Sequence, residues 1–255
     1  ARPSEKVTNI IMSVKERLVP NTSPILTYIG IVVALRGPCI IFLNPRIMYE
    51  KTENGYAVRF YTLGVKGFTT AVIPDTYKGE EVVELRGNCF SNMPFLRSVT
   101  LPDTITSIRG QAFKNDMMLT NVNLPKNLQY LGGGSFYNCK SLKSIELPDS
   151  LTEMGGETFY GASSLVDVKL SSNLKEIKGN TFEGCISLEK IEIPDTVKRI
   201  GGHAFYGCRK LSEVNLSQYS KLDEIGSSAF RECASLKEIV IPRGTSVDSR
   251  AFKDS

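Results

Sequence analysis

The stretch LKSIELPDSLTEMGGETFYGASS, Leu142–Ser164, decides how the chain is built. Leu142, Ile145 and Leu147 form an LxxIxL pattern, in which a short strand turns alternate side chains inward. Pro148 follows at once and, having no N–H, ends the strand without leaving an unpaired donor. Leu151 and Met154 are expected to point inward again. The pair Gly155-Gly156 is expected to make a turn at positive φ. Thr158-Phe159 then closes the coil, with the Phe159 ring as its largest apolar group.

Outward from this stretch the pattern recurs. Phe90, Phe113, Phe136, Phe159, Phe182, Phe205, Phe230 and Phe252 are separated by five intervals of 23 residues, then 25 and 22. A period of this length is that of a leucine-rich-repeat solenoid, in which one coil cannot bury its apolar face alone. The expected fold is therefore a β-rich leucine-rich-repeat solenoid, a right-handed coil with a repeat of about 23 residues. Stacked coils place equivalent residues about 4.8 Å apart, so the phenylalanines should form a continuous spine. Burying each ring contributes roughly 1.5–3 kcal/mol. Long helices are excluded, because Pro, Gly and short β-branched runs recur from coil to coil.

Composition is that of a folded protein, with 41% hydrophobic and 23% charged residues. Residues 1–100 carry 12 Lys+Arg against 8 Asp+Glu, and residues 101–255 carry 19 of each. The basic residues are scattered singly, not gathered into the stripe that phosphate-backbone binding needs, so nucleic acid is not an expected partner. The longest apolar run, Ile25–Leu35, has eleven residues, whereas a membrane-spanning helix takes about 20. It reads as a buried strand, and an export signal is expected upstream of Ala1.

Six cysteines suggest disulfides until they are placed on the period. Cys139, Cys185, Cys208 and Cys233 each lie three residues after a ladder Phe, in a slot filled elsewhere by Met93, Asp116 and Ala162. Cys89 shares a different slot with Ala112, Ser135, Thr158, Thr181, Ala204 and Ala229. Slots shared with Ala and Met call for small or adaptable buried side chains, which a free thiol supplies. Cys185, Cys208 and Cys233 stand on successive coils, so a vertical disulfide is the competing expectation.

The same bookkeeping removes most candidate chemistry. His203 is the only histidine, in a turn position held in other coils by Glu157, Asn180 and Ser228. Any Ser–His–Asp or Cys–His nucleophilic site would have to use it. No CxxC pairing suggests zinc. The run Gly132–Gly134 is a coil turn without the Lys-Ser/Thr of a phosphate loop. No catalytic, cofactor or metal residues are expected, and the chain does not read as an enzyme.

What remains for function lies on outward positions. Tyr137, Tyr160 and Tyr206 each follow a ladder Phe and so turn outward along one edge. Such a stripe can stack on sugar rings or anchor a protein interface; it can also simply shield the coil edge, since Lys114, Glu183 and Arg231 interrupt it. Tyr219 sits in a two-residue insertion at Ser217–Leu222, and solenoid insertions map to loops that sometimes bind. These four tyrosines are the candidate ligand contacts. On the main strand, Asp167, Lys190 and Glu213 should stack on neighbouring coils, as should Glu146, Lys169 and Glu192, alternating in sign.

The coil consensus LxxIxLPxxLxxIGxxxFxxC resembles the BspA-like leucine-rich repeats over about Ile47–Ser255. Its entry segment is similar too: a hairpin in MYEKTENGYAVRFY, with Asn54-Gly55 as the expected two-residue turn, then VIPDTYKGEEVVEL at Val72–Leu85. The resemblance implies a protein of an extracellular or cell-surface location, adhesin-like, binding a protein or carbohydrate ligand and carrying no catalytic residues. A structural spacer within a longer surface protein is the alternative. Ser171 and Ser217 depart from the pattern where the strand-ending Pro is expected. Residues 1–46 fall outside the resemblance and are expected to form an N-terminal α/β cap, with Ser4 capping a helix over Glu5–Val19. VVALRGPC at Val32–Cys39 echoes VVELRGNC at Val82–Cys89 and suggests a degenerate coil beneath that cap.

Overall fold

The computed structural model describes residues 47–60, 69–217 and 220–255. The expected helix at Glu5–Val19, the echo at Val32–Cys39, Cys39 itself and Tyr219 lie outside these residues.

Each coil has three sides. The first is a main strand of three or four residues: Thr70–Val72, Ser98–Thr100, Asn121–Asn123, Ser144–Glu146, Asp167–Lys169, Lys190–Ile193 and Glu213–Leu216. The second is a shorter strand, beginning with Glu80–Leu85 and continuing through Ser107–Ile108, Tyr130–Leu131, Glu153–Met154, Glu176–Ile177, Arg199–Ile200, Glu224–Ile225 and Ser246–Val247. Ladders between coils on both sides are parallel, for example Ile145 opposite Val168 and Ile200 opposite Ile225. The third side is a strand-free turn built around the ladder Phe. There each Phe amide donates to the carbonyl of the residue before the next Phe, from Phe90 to Ala112 at 2.8 Å through Phe230 to Ala251 at 2.8 Å. The period thus has a hydrogen-bond meaning: one residue per coil is tied to its successor.

Inside, the expected spine is present. Seven of the eight rings are fully buried, and neighbours stack with centroids 5.0–5.6 Å apart and planes within 11°. Leu142, Ile145, Leu147, Leu151 and Met154 all lie in the core as read. Thr158 and Thr181, buried beside the rings, donate to the carbonyls of Gly155 and Lys178 at 2.6 Å, which satisfies hydroxyls that would otherwise be costly to bury. Ser171 stands where Pro was expected and donates its hydroxyl to the Leu151 carbonyl at 2.7 Å. The Ser171 carbonyl also accepts the turn-closing bond from the residue three later, Leu174 at 3.2 Å, as Pro148 does from Leu151 at 2.9 Å.

Two turn expectations are corrected. Gly155 and Gly156 do not adopt positive φ; Glu157 does, at 58°, and so do Asn180 and His203 two residues before their own Phe. A second left-handed residue follows two after each Phe, such as Asn138 at 57° and Gly161 at 67°. Gly155 is required for space instead. A Cβ there would lie 2.2 Å from the Gly133 backbone nitrogen, because this corner packs backbone directly on backbone.

The entry hairpin also differs from its reading. Thr52 pairs with Gly55, so the two loop residues are Glu53-Asn54 and not Asn54-Gly55. Gly55 opens the second strand at φ 140°, and a Cβ on it would be 2.4 Å from the Glu81 carbonyl oxygen. The hairpin's second strand, Gly55–Phe60, runs parallel to Glu80–Leu85 and so starts the stack. Lys78-Gly79, both at positive φ, turn Thr76–Tyr77 back onto the same strand.

Candidate functional site

The residue after each ladder Phe forms an outward column: Ser91, Lys114, Tyr137, Tyr160, Glu183, Tyr206, Arg231 and Lys253. Tyr137 and Tyr160 stack with centroids 4.6 Å apart and planes 5° from parallel. The Lys114 ammonium sits 4.8 Å from the Tyr137 centroid, on the neighbouring coil. Both rings are half-buried, and Tyr137 has its faces engaged within the column. Glu183, on the next coil, is the main cause of a raised Tyr160 phenol pKa. Tyr206 stands apart from that pair. It donates its hydroxyl to Glu232 Oε1 at 2.7 Å, which holds its proton on, and Arg231 lies over its ring at 5.8 Å. The structure therefore brings two of the four sequence-named tyrosines together and leaves Tyr206 on its own network. Beside them runs an amide ladder, Asn138 to Asn115 at 3.1 Å and Asn115 to Asn92 at 2.9 Å.

The main-strand side carries a different feature. The outward residues of Asp167–Lys169, Lys190–Ile193 and Glu213–Leu216, with the turns that follow, line a groove of about 970 Å³. Its charged lining is Asp149, Asp167, Glu192, Asp195 and Glu213 against Lys169 and Lys190. The expected stacks are partly realised: Lys169 closes on Glu146 and is held protonated by it, whereas Lys190 faces Glu213 in register without forming an ion pair. Asp149 is committed to the wall, accepting the Ser172 amide at 2.9 Å, which lowers its pKa. The strands' outward pattern was legible in the sequence. The groove was not, since it depends on how successive coils and their turns curve.

A third cluster escaped the sequence reading. Tyr49 and Tyr77 stack at 3.9 Å and Tyr56 meets Tyr77 edge-on at 5.0 Å, with Lys51 and Lys78 over the rings. Burial, then Tyr77, pushes the Tyr49 phenol up to about 12. The only local signal was alternation in the hairpin, which gives no hint that Tyr77 would fold back onto it.

Cys89, Cys139, Cys185, Cys208 and Cys233 are buried free thiols. Desolvation raises the pKa of all five, Cys233 to about 12, so they are not thiolate nucleophiles. His203 is exposed in its left-handed turn. Among the described residues no group of three or more His, Cys, Asp or Glu is arranged to hold a metal ion, and no helix is long and apolar enough to cross a membrane.

A model of the BspA type leucine rich repeat region matches six copies, over residues 83–212 and 134–255. The chain belongs to the BspA-type leucine-rich-repeat family. A crystal structure of a T. pallidum leucine-rich-repeat protein is 30% identical, with a TM-score of 0.68 over 75% of this chain and 88% of that one. Leucine-rich-repeat proteins of Bacteroides ovatus (24% identity, TM-score 0.56, 78% of this chain and 58% of that one) and Eubacterium ventriosum (20%, 0.60, 73% and 58%) share the fold. No curated protein matches. The BspA-type assignment explains why strand, Pro corner and Phe turn recur together.

Proposed function

We propose that this BspA-type solenoid is a non-enzymatic binding module of a secreted or surface-held bacterial protein, and that it takes a protein ligand in the main-strand groove. The observation that carries this reading is the groove itself. It gathers side chains from four coils, and its lining has five carboxylates to two ammonium groups, which suits a partner segment bearing Lys or Arg. The tyrosine column fits a sugar platform less well, because the Tyr137 faces already meet Tyr160 and Lys114. What Tyr137 and Tyr160 have left to offer is edges and hydroxyls, and these support a second, protein-facing contact.

Two double variants separate the faces: Glu192→Lys with Glu213→Lys, and Tyr137→Ala with Tyr160→Ala. Each is tested against panels of matrix proteins and glycans beside the parent protein. Loss of protein binding on charge reversal, with binding retained by the tyrosine variant, is the expected result. Loss confined to the tyrosine variant moves the site to that column. A parent protein that binds neither panel supports the spacer reading.

A further inference from the structure

In five coils the slot three residues after the ladder Phe holds a side chain that donates a hydrogen bond to the coil before it, while Met93 and Ala162 fill it with apolar groups. Cys139 donates its Sγ–H to the Phe113 carbonyl at 3.1 Å, Cys185 to Phe159 at 3.2 Å, Cys208 to Phe182 at 3.1 Å and Cys233 to Phe205 at 3.2 Å. At the C-terminal end Ser255 Oγ does the same to Phe230 at 2.6 Å. In these five coils the slot holds a donor, and the acceptor is the ladder Phe of the preceding coil.

Asp116 fills this slot after Phe113 and is fully buried. Its Oδ1 accepts the Met93 amide at 2.7 Å. Its Oδ2 is buried and has no hydrogen-bond partner among the described residues. An ionised carboxylate has only lone pairs to offer, whereas a carboxylic acid has one O–H donor. A buried charge without a cation is costly, and the usual outcome is neutralisation.

We propose that Asp116 is a neutral carboxylic acid in the folded protein, with its proton on Oδ2 directed at the Phe90 carbonyl, so that the coils of Phe90 and Phe113 are joined by a proton-dependent latch. The two oxygens then have distinct tasks: Oδ1 receives the Met93 amide, and Oδ2–H plays the part of the thiols and of Ser255. The surroundings agree. The titratable side chains facing Asp116 are Cys89 and Cys139, thiols that desolvation by burial keeps neutral. No cation is among the groups acting on it; desolvation dominates and lifts its pKa from 3.8 to about 8, with the Met93 bond opposing.

The sign of the pH effect follows. Between the ordinary carboxylate value of 3.8 and about 8 the folded chain holds a proton that the unfolded chain has lost. Stability from this group is therefore fully present below the lower value, falls as pH rises, and is gone above the upper one. Acid tightens the junction and alkali loosens it.

Asp116→Asn tests the latch. Asn keeps an oxygen for the Met93 amide, places an N–H donor where the proton is proposed, and does not titrate in this range. Urea unfolding of both proteins across the window should show the ratio of their unfolding constants, parent over variant, rising by up to about tenfold per pH unit. A ratio that does not change with pH overturns the proposal. Should the variant fail to fold, the ¹³C shift of the Asp116 carboxyl in the parent protein decides. A protonated signal at neutral pH supports the latch; titration alongside the surface carboxylates overturns it.

Discussion

Phe159 and Phe182 lie ring on ring, centroids 5.3 Å apart and 9° from parallel, while the Phe159 amide donates to the Thr181 carbonyl at 2.8 Å. One residue type per coil thus supplies both the largest packed group and the backbone tie to the next coil. Core packing and coil spacing are coupled at the same point. A change at one ring is felt by the coils on both sides.

Phe159→Ala should lower stability by about 3–5 kcal/mol, since a fully buried ring with a stacked neighbour on each face leaves a cavity that the coils cannot close. Phe252→Ala should cost clearly less, because that ring is only partly buried and stacks on Phe230 alone among the described residues. Chemical denaturation of the two variants checks the order. Equal losses would mean that the spine is not cooperative along its length.

The glycine corner makes an opposite pair of predictions. Gly155→Ala puts a methyl 2.2 Å from the Gly133 nitrogen, and backbone on two coils must move; the expected loss is about 3 kcal/mol or more. Glu157→Gly relieves a residue at φ 58° but gives the unfolded chain more freedom, so it should stay within about 1 kcal/mol of the parent. Thermal melts of the two proteins, two positions apart, separate lack of space from backbone strain.

Two charge clusters should behave differently. Glu84 is buried between Arg86 and Arg109, each 2.7 Å away. Glu84→Ala leaves both guanidinium groups without this partner at the junction of hairpin and stack, and should cost about 1–3 kcal/mol. Arg199 lies between Glu176 and Glu224 on an exposed strand face; Arg199→Ala should cost under about 1 kcal/mol, less still in high salt. Denaturation at two salt concentrations tests both. A salt-sensitive Glu84 contribution would place that carboxylate in solvent.

The period makes a residue's setting legible where one coil position has one environment. The Phe spine, the inward aliphatic residues and the buried free thiols all follow from slots shared with chemically similar residues. A corner where two coils meet is not legible in that way. The sequence shows two adjacent glycines and suggests a left-handed turn; the structure shows Gly155 facing a neighbouring backbone, with Glu157 taking the positive φ. Either demand can select glycine, and composition does not distinguish them. The hairpin loop slipped by one residue for a related reason: Gly55 serves close approach to Glu81 instead of the turn.

The 23-residue recurrence beginning in Leu142–Ser164 was enough to determine the solenoid, because periodic burial of Leu, Ile and Phe admits few other stackings. It also placed Asp116 in a slot otherwise read as small and apolar. Only the tertiary structure decided which outward groups meet: Tyr137 on Tyr160 but not Tyr206, Tyr77 on Tyr49, and the carboxylates that line one groove. Contacts of that kind depend on curvature between coils and on side-chain direction, quantities that a linear period does not carry.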